Sequence, residues 1–262
     1  MSLTTEGAGP LNAQSPGTPP AVQHRLLDLQ DLDLQLDQIA HKRATLPELA
    51  ALQQLAKERA SVDRQLVAVE TDVSDLQREQ KKADTDVEQV RARRTRDQER
   101  LDGGRVSTPK ELEGLQHEIV SLDRRIADLE DAELEVMERL ETAEMRQREL
   151  SAKTAELADR QAGLESSRDG TTKELDEQRA SLTERRAVAV GELPADLVAT
   201  YTKLRERMGG IGAGKLVGKR CMGCRMELNP SDLSRIAAAD PNTVLRCEEC
   251  GRILVRTSDS AV

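Results

Sequence analysis

The stretch "LDGGRVSTPKEL", residues 101–112, decides the fold. Gly103 and Gly104 suit the end of a helix, where glycine tolerates a left-handed backbone. Thr108, Pro109 and Glu111 fit an N-cap, a first helical residue and the third helical position. That is a capping box, with proline placed where its missing N–H costs nothing. One helix therefore ends near Asp102 and another begins near Pro109.

The pattern on either side is heptad. From Leu52 to Val90, apolar side chains recur at alternating intervals of three and four, broken only at Arg59 and Gln80. A second seam starts at Leu112. Its seven-residue spine, Leu115 through Leu164, is apolar at all eight positions. The companion positions turn polar at Glu133, Gln147 and Thr154, which predicts looser packing in the later half. A short turn between two seams predicts an antiparallel hairpin, with facing residue numbers that add to about 211.

Pro47 should break or kink the first helix. Its expected partner lies near residue 164, in a stretch that holds Gly163 and Gly170, so a joint is expected near 44–48 and 163–170. Residues 24–43, "HRLLDLQDLDLQLDQIAHKR", alternate Leu with polar residues as a strand would. They are poor in β-branched residues and rich in helix formers, so they read as helix, paired with roughly 166–190. A helix of about 54 residues spans roughly 80 Å, and the expected molecule is a rod.

Composition agrees. The chain has 262 residues, no Trp, no Phe and one Tyr, with 33% charged residues and a net charge of −9. Without aromatics, narrow Leu/Val/Ala seams must supply the core. The acidity argues against wholesale binding to nucleic acid or anionic membrane. No apolar run approaches the roughly 20 residues that cross a bilayer. Residues 1–20 lack a basic start and an apolar run, so they read as a disordered tail rather than a signal peptide. The domain reading is a tail (1–20), a hairpin (21–190, tip 102–109), a connecting helix and Gly linker (191–214), a zinc ribbon (215–256) and a tail (257–262). Pro194 opens the connecting helix, and Leu197, Val198, Tyr201 and Leu204 share one of its faces.

All four cysteines lie in two C-x-x-C pairs, Cys221/Cys224 and Cys247/Cys250. Two residues between cysteines let one tight turn carry both sulfurs to one metal, and two such turns complete a tetrahedron. The spacing points to one structural Zn²⁺, with Gly223 and Gly251 relaxing the turns. Four protein ligands leave no open position for catalysis. A redox C-x-x-C would want a βαβ context, which the pattern does not offer. Cysteines at metal spacing, rather than spread as a disulfide framework, point to a reducing cytoplasm.

The fold class expected is mainly α: a long antiparallel coiled-coil hairpin with a small C-terminal β zinc ribbon. The tip "STPKELEGLQHEI" together with the knuckle "CEECGRIL" resembles the bacterial C4-type zinc-ribbon proteins that carry an N-terminal coiled-coil hairpin domain. The resemblance implies zinc on Cys221, Cys224, Cys247 and Cys250. It also implies adaptor or chaperone-like roles, linked to transcription factors, RNA and secretion or motility assemblies.

Residues 215–256 carry eight Lys/Arg against five Asp/Glu, while the rest of the chain carries −12. Lys219, Arg220, Arg225, Arg246, Arg252 and Arg256 either form a basic face for nucleic acid or an acidic partner, or balance the thiolates and stay solvated. Ser107, Pro109, Lys110 and Glu111 offer a docking site at the tip, though capping alone accounts for them. Arg91, Arg93, Arg94, Arg96 and Arg100 form either a second docking patch or a solvated helix face. "GGIGAGKL", residues 209–216, approaches a phosphate-binding loop, but Leu216 stands where Ser/Thr would hold Mg²⁺ and no strand precedes it. No catalytic set stands out. The leading expectation is a non-catalytic adaptor for protein partners, with nucleic-acid binding through the ribbon as the alternative. No membrane and no small-molecule substrate is expected, and the oligomeric state is left open.

Overall fold

The computed structural model describes residues 17–104 and 106–262. Among these the elements run α1 (Pro20–Ala44), α2 (Pro47–Asp102), α3 (Pro109–Gly191), α4 (Ala195–Arg207), β1 (Ala213–Val217), β2 (Arg220–Cys221), α5 (Pro230–Ala238), β3 (Leu245–Arg246) and β4 (Ile253–Val255). The chain forms two compact units. One is Glu48–Ser167; the other joins the described residues up to Pro47 with Arg168–Val262.

The first unit is the hairpin of α2 and α3. The N-cap half of the capping box forms, with the Glu111 N–H donating to Thr108 Oγ1 at 3.3 Å. Gly104 takes the left-handed conformation, φ 64°, at the end of α2. Leu55, Val62, Leu150 and Leu157 form the tightest core, with Leu66, Val69 and Leu164 against them. Ion pairs and hydrogen bonds cross from helix to helix at Arg93–Glu118, Arg94–Asp123, Arg91–Glu130 and Arg146–Gln65. The numbers of the first and last of these pairs add to the expected 211; in the other two, arginine reaches further along the partner helix.

The later half of the second seam is not its loose part, since Leu150 and Leu157 are buried there. The slack lies in the middle. Gln80 and Glu133 interrupt the apolar seams of both helices there, and Val136, Leu140 and Ala143 are only half-buried. Asp84 hydrogen-bonds the Glu133 carboxyl and holds it above the usual carboxylate range. A groove of about 740 Å³, lined in part by Val69, Leu76, Thr142 and Ala143, opens nearby.

Between α1 and α2 the helical path breaks at Thr45–Leu46, next to Pro47. No matching break appears near 163–170: α3 passes unbroken through Gly163 and Gly170. A helical glycine costs only about 1 kcal/mol relative to alanine, and the buried Leu157 and Leu175 on either side outweigh that.

The second unit starts with α1 on the distal part of α3, where Leu32, Ile39, Leu46, Leu175 and Leu182 cluster. Arg43–Asp176 and Arg25–Glu192 pair at its edges. The connecting residues do not form a free linker. Leu26 and Leu29 of α1, Leu193, Leu197, Tyr201 and Leu204 at α4, and Ala213, Ile253 and Val255 of the sheet share one core. The sheet order is β2-β1-β4-β3, with β1 and β4 parallel and the other pairs antiparallel. The ribbon thus begins at Ala213, two residues before the expected boundary, and it contains a helix, α5, that the sequence reading did not anticipate.

Three buried polar residues of α1 hold this core. Gln30 Oε1 accepts from the backbone N–H of Gly212 at 2.7 Å and of Ala213 at 3.2 Å, while its Nε2 donates to the Gly210 carbonyl. Asp33, 1% exposed, accepts from Tyr201 Oη at 2.7 Å and from Arg186 Nε at 2.6 Å. Burial, then the bond to Asp33, pushes the Tyr201 phenol far above its ordinary range, and Asp33 raises Arg186. Gln23 Nε2 donates to the carbonyls of Thr18 and Pro241.

Most of the expected N-terminal tail, residues 1–16, lies outside the described residues. Residues 17–20 are not free, since the Thr18 N–H donates to the Asn242 carbonyl at 2.7 Å and Pro20 begins α1. The expected tail 257–262 is also docked. The Gly218 N–H donates to the Asp259 carbonyl, and the Ala261 N–H donates to the Gly218 carbonyl.

This network predicts unequal costs. Asp33→Ala strands the buried Tyr201 hydroxyl and leaves the half-buried Arg186 without its acceptor, and should cost about 3 kcal/mol, whereas Tyr201→Phe should cost about 1–2 kcal/mol. Urea unfolding checks both, by Tyr201 fluorescence for the first and by circular dichroism for the second. Losses below about 0.5 kcal/mol for both, the size of an ordinary surface change, would refute a supporting role for the network.

Candidate metal centre

Each cysteine pair sits on a turn with the same hydrogen bonds. At the first, the Cys221 N–H donates to the Met226 carbonyl at 3.0 Å, and the Arg225 N–H to the Cys221 carbonyl at 2.7 Å. At the second, the Cys247 N–H donates to the Arg252 carbonyl at 2.9 Å, and the Gly251 N–H to the Cys247 carbonyl at 2.7 Å. The fifth residue of each turn is left-handed: Gly251 at φ 72° and Arg225 at φ 62°. The counterpart of Gly251 is therefore Arg225, and Gly223 does not relax its turn through positive φ. Gly223 is needed for closeness instead. A Cβ there would lie 2.9 Å from Arg252 Cδ, and one on Gly214 would lie 2.5 Å from the Gly223 nitrogen.

The turns bring the sulfurs of Cys221, Cys224, Cys247 and Cys250 within 4.8 Å of one another, with Cys224 and Cys247 4.0 Å apart. A tetrahedron with zinc–sulfur bonds of about 2.3 Å has edges of about 3.8 Å, so the set fits one ion. Backbone N–H groups of Gly223 and Cys224 point at the Cys221 sulfur, that of Met226 at Cys224, and that of Cys250 at Cys247. The Cys247 thiol and these N–H groups pull Cys221 down to about 5. Donating to Cys221, together with burial, holds Cys247 well above the thiol range, and burial raises Cys224. The protein alone thus stabilises one thiolate strongly at the expense of its neighbours. A dication lets all four ionise. The centre is a C4-type zinc ribbon site, suited to one structural Zn²⁺ that cross-links the two turns.

The six cations expected around the metal separate into two kinds. Arg252 donates to the carbonyls of Ile211 and Met208, each at 2.8 Å. Arg256 donates to those of Ile236, Ala239 and Asp240 at the end of α5. Arg246 is half-buried, with its Nε enclosed and unbonded. Lys219, Arg220 and Arg225 are exposed, and among the described residues their side chains make no hydrogen bond or ion pair.

Ser107, Pro109, Lys110 and Glu111 are exposed at the tip. In the arginine run, Arg91, Arg93, Arg94 and Arg100 pair with carboxylates while staying open to solvent, so these four form a solvated, ion-paired face rather than a free patch. The glycine run is no phosphate loop: it leads straight into β1, and a Cβ on Gly212 would lie 2.6 Å from the Tyr201 carbonyl oxygen. His24 Nε2 lies 2.7 Å from the Arg256 carbonyl oxygen, away from the sulfurs' ligand set. Among the described residues no helix is long and apolar enough to cross a membrane.

Because β1 and β4 join the metal turns to the core around Tyr201, zinc loss should reach beyond the ribbon. Chelation at neutral pH should collapse amide dispersion for residues 213–256 and change Tyr201 fluorescence, while the hairpin at 48–167 stays helical. Unchanged ribbon amide signals in metal-free protein would contradict a structural zinc.

The comparisons converge on these two parts. Residues 29–209 match the model of the CT398-like coiled coil hairpin domain, and residues 220–254 that of the C4-type zinc ribbon domain. An uncharacterized protein of Mycobacterium tuberculosis is 38% identical over 240 residues, spanning 90% of this chain and 96% of its own. A solved structure from Mycobacterium smegmatis aligns with a TM-score of 0.80 at 35% identity, covering 92% of this chain and 100% of that one. CT398 from Chlamydia trachomatis has a similar fold, with a TM-score of 0.65 at 16% identity and coverage of 90% and 98%. The chain belongs to the CT398-like coiled-coil hairpin family, with a C4-type zinc ribbon following the hairpin.

Proposed function

We propose that the chain is a non-catalytic adaptor, a coiled-coil hairpin and zinc ribbon that bind protein partners in the cytoplasm. The observation that carries this reading is the closure of the metal site. Four cysteine sulfurs within 4.8 Å use every position of a tetrahedral ion, so no position is left for substrate or activated water. The ion then serves to fix a surface. The setting, transcription or secretion-related assemblies, rests on the family resemblance alone.

A second reading, nucleic-acid binding through the ribbon, draws on the exposed Lys219, Arg220 and Arg225. It requires an affinity that falls steeply with salt, and that is lost when these three are changed together to Ala.

Tagged full-length chain in a mycobacterial lysate, with and without nuclease, separates the two. Protein partners enriched about tenfold over beads and retained after nuclease are the expected result. Capture that disappears with nuclease would favour the second reading, and capture no better than beads would reject the adaptor.

A further inference from the structure

We infer that the outer face of the first zinc knuckle is a docking surface, and that it takes an acidic protein segment carrying apolar side chains. The inference rests on the adaptor reading and supplies its place and chemistry.

The two knuckles share one backbone and differ in what they show to solvent. The second carries Glu248 and Glu249 between its cysteines, with Glu248 paired to Arg235 at 3.0 Å, and it ends on Gly251. The first carries Met222 between its cysteines and then Arg225 and Met226. Met222 is 43% exposed and Met226 54% exposed. Exposed thioethers add nothing to the ribbon's own core, whereas flexible, polarisable side chains suit apolar groups of a partner. Arg225 holds φ 62° where the other knuckle has glycine, a conformation that disfavours residues with a Cβ. Among the described residues its side chain finds no acceptor, and the same is true of Lys219 and Arg220. The Leu228 N–H donates to the Lys219 carbonyl at 2.8 Å, and the backbones of Arg220 and Glu227 form an antiparallel bridge, so both cations lie beside the segment that follows Met226. Arg235, Arg252 and Arg256 are meanwhile spent on internal acceptors.

Three cations unpaired among the described residues and two exposed methionines therefore lie on the first knuckle and the residues that flank it. Carboxylates answer the cations and aliphatic side chains answer the methionines. A nucleic acid answers only the cations. It also wants a stacking platform, and the chain's single aromatic residue, Tyr201, is buried.

The test uses the zinc-loaded full chain with 13C-methyl methionine, in which Met137 and Met145, exposed on α3, serve as controls. The probe is an amphipathic peptide of about 20 residues, Asp/Glu on one face and Leu on the other. The comparison probes are the same peptide with Leu replaced by Ser, and a single-stranded uridine oligomer. The methyl signals of Met222 and Met226 should shift with the Leu peptide while those of Met137 and Met145 stay. Affinity should fall about fivefold or more in Arg225→Gly and in the Met222→Ser/Met226→Ser variant. Arg225→Gly should at the same time raise the ribbon's melting temperature, which a purely structural arginine would not do. Shifts confined to Met137 and Met145, equal affinity for the Ser peptide, tighter binding of the uridine oligomer, or no shift at any methionine would each overturn the inference. The lysate experiment, repeated with the triple variant M222S/R225G/M226S, separates the two claims. Undiminished nuclease-resistant capture would remove this surface and leave the adaptor standing.

Discussion

Four cysteine sulfurs within 4.8 Å set the terms for the ribbon. Two thiolates about 4 Å apart repel by about 4 kcal/mol at an effective dielectric near 20, and four thiolates make six such pairs. The knuckle N–H groups offset part of this for Cys221, and only a bound dication offsets it for all four. The strands around the metal are two to five residues long, too short to be stable alone. They are held from two sides. The metal ties the turns at Cys221 and Cys247, and the core of Leu26, Leu29, Tyr201 and Leu204 takes up Ala213, Ile253 and Val255. The ribbon is therefore continuous with the helices beneath it, and Gly212, where a Cβ would lie 2.6 Å from the Tyr201 carbonyl oxygen, permits that closeness.

What could be read from the sequence was local. Thr108-Pro109 and Glu111 cap α3 within one turn, the heptad spacing places Leu55 and Leu157 in the seam, and C-x-x-C is a spacing within one knuckle. What escaped depended on distant partners. Nothing near Ala213 reveals that it pairs in parallel with Ile253. Gln30 and Asp33 look like ordinary solvated positions of α1 until Gly212 and Tyr201, more than 160 residues away, are placed beside them. The start of α5 did carry a signal, Asn229 before Pro230, and Asn229 Oδ1 accepts from the Asp232 N–H at 2.9 Å. The helix is only nine residues long, too short to show a period. Gly223 and Gly251 were both expected to relax the turns, but left-handed φ falls one residue after the second cysteine of each pair, on Arg225 and Gly251.

The basic residues carry the same lesson in terms of charge. Composition gives the sign of a patch and says nothing of where its donors point. Arg256 looked like a surface cation and proves to cap α5 from inside the fold. The arginines at 91–100 allowed either a docking patch or a solvated face, and Arg91, Arg93 and Arg94 prove to be tied to acids on α3. Exposed pairs of this kind are each worth less than about 1 kcal/mol, so they set register more than stability.

Register is what the seams cannot fix by themselves. A spine with apolar residues every seven positions packs almost as well after a slide of one heptad, because Leu meets Leu either way. A buried carboxylate has no such freedom. If α1 slid by seven residues, Asp33 would leave Tyr201 and Arg186 behind, and Gln30 would abandon the N–H groups of Gly212 and Ala213. Each stranded group would then bear its full desolvation cost, which a neutral apolar contact never incurs. Replacing Asp33 with Leu would bury similar volume and remove that penalty, and with it the means of telling one register from the next. The polar residues of α1 thus do for position what the leucines do for cohesion, and the place at which the ribbon meets the helices follows from both.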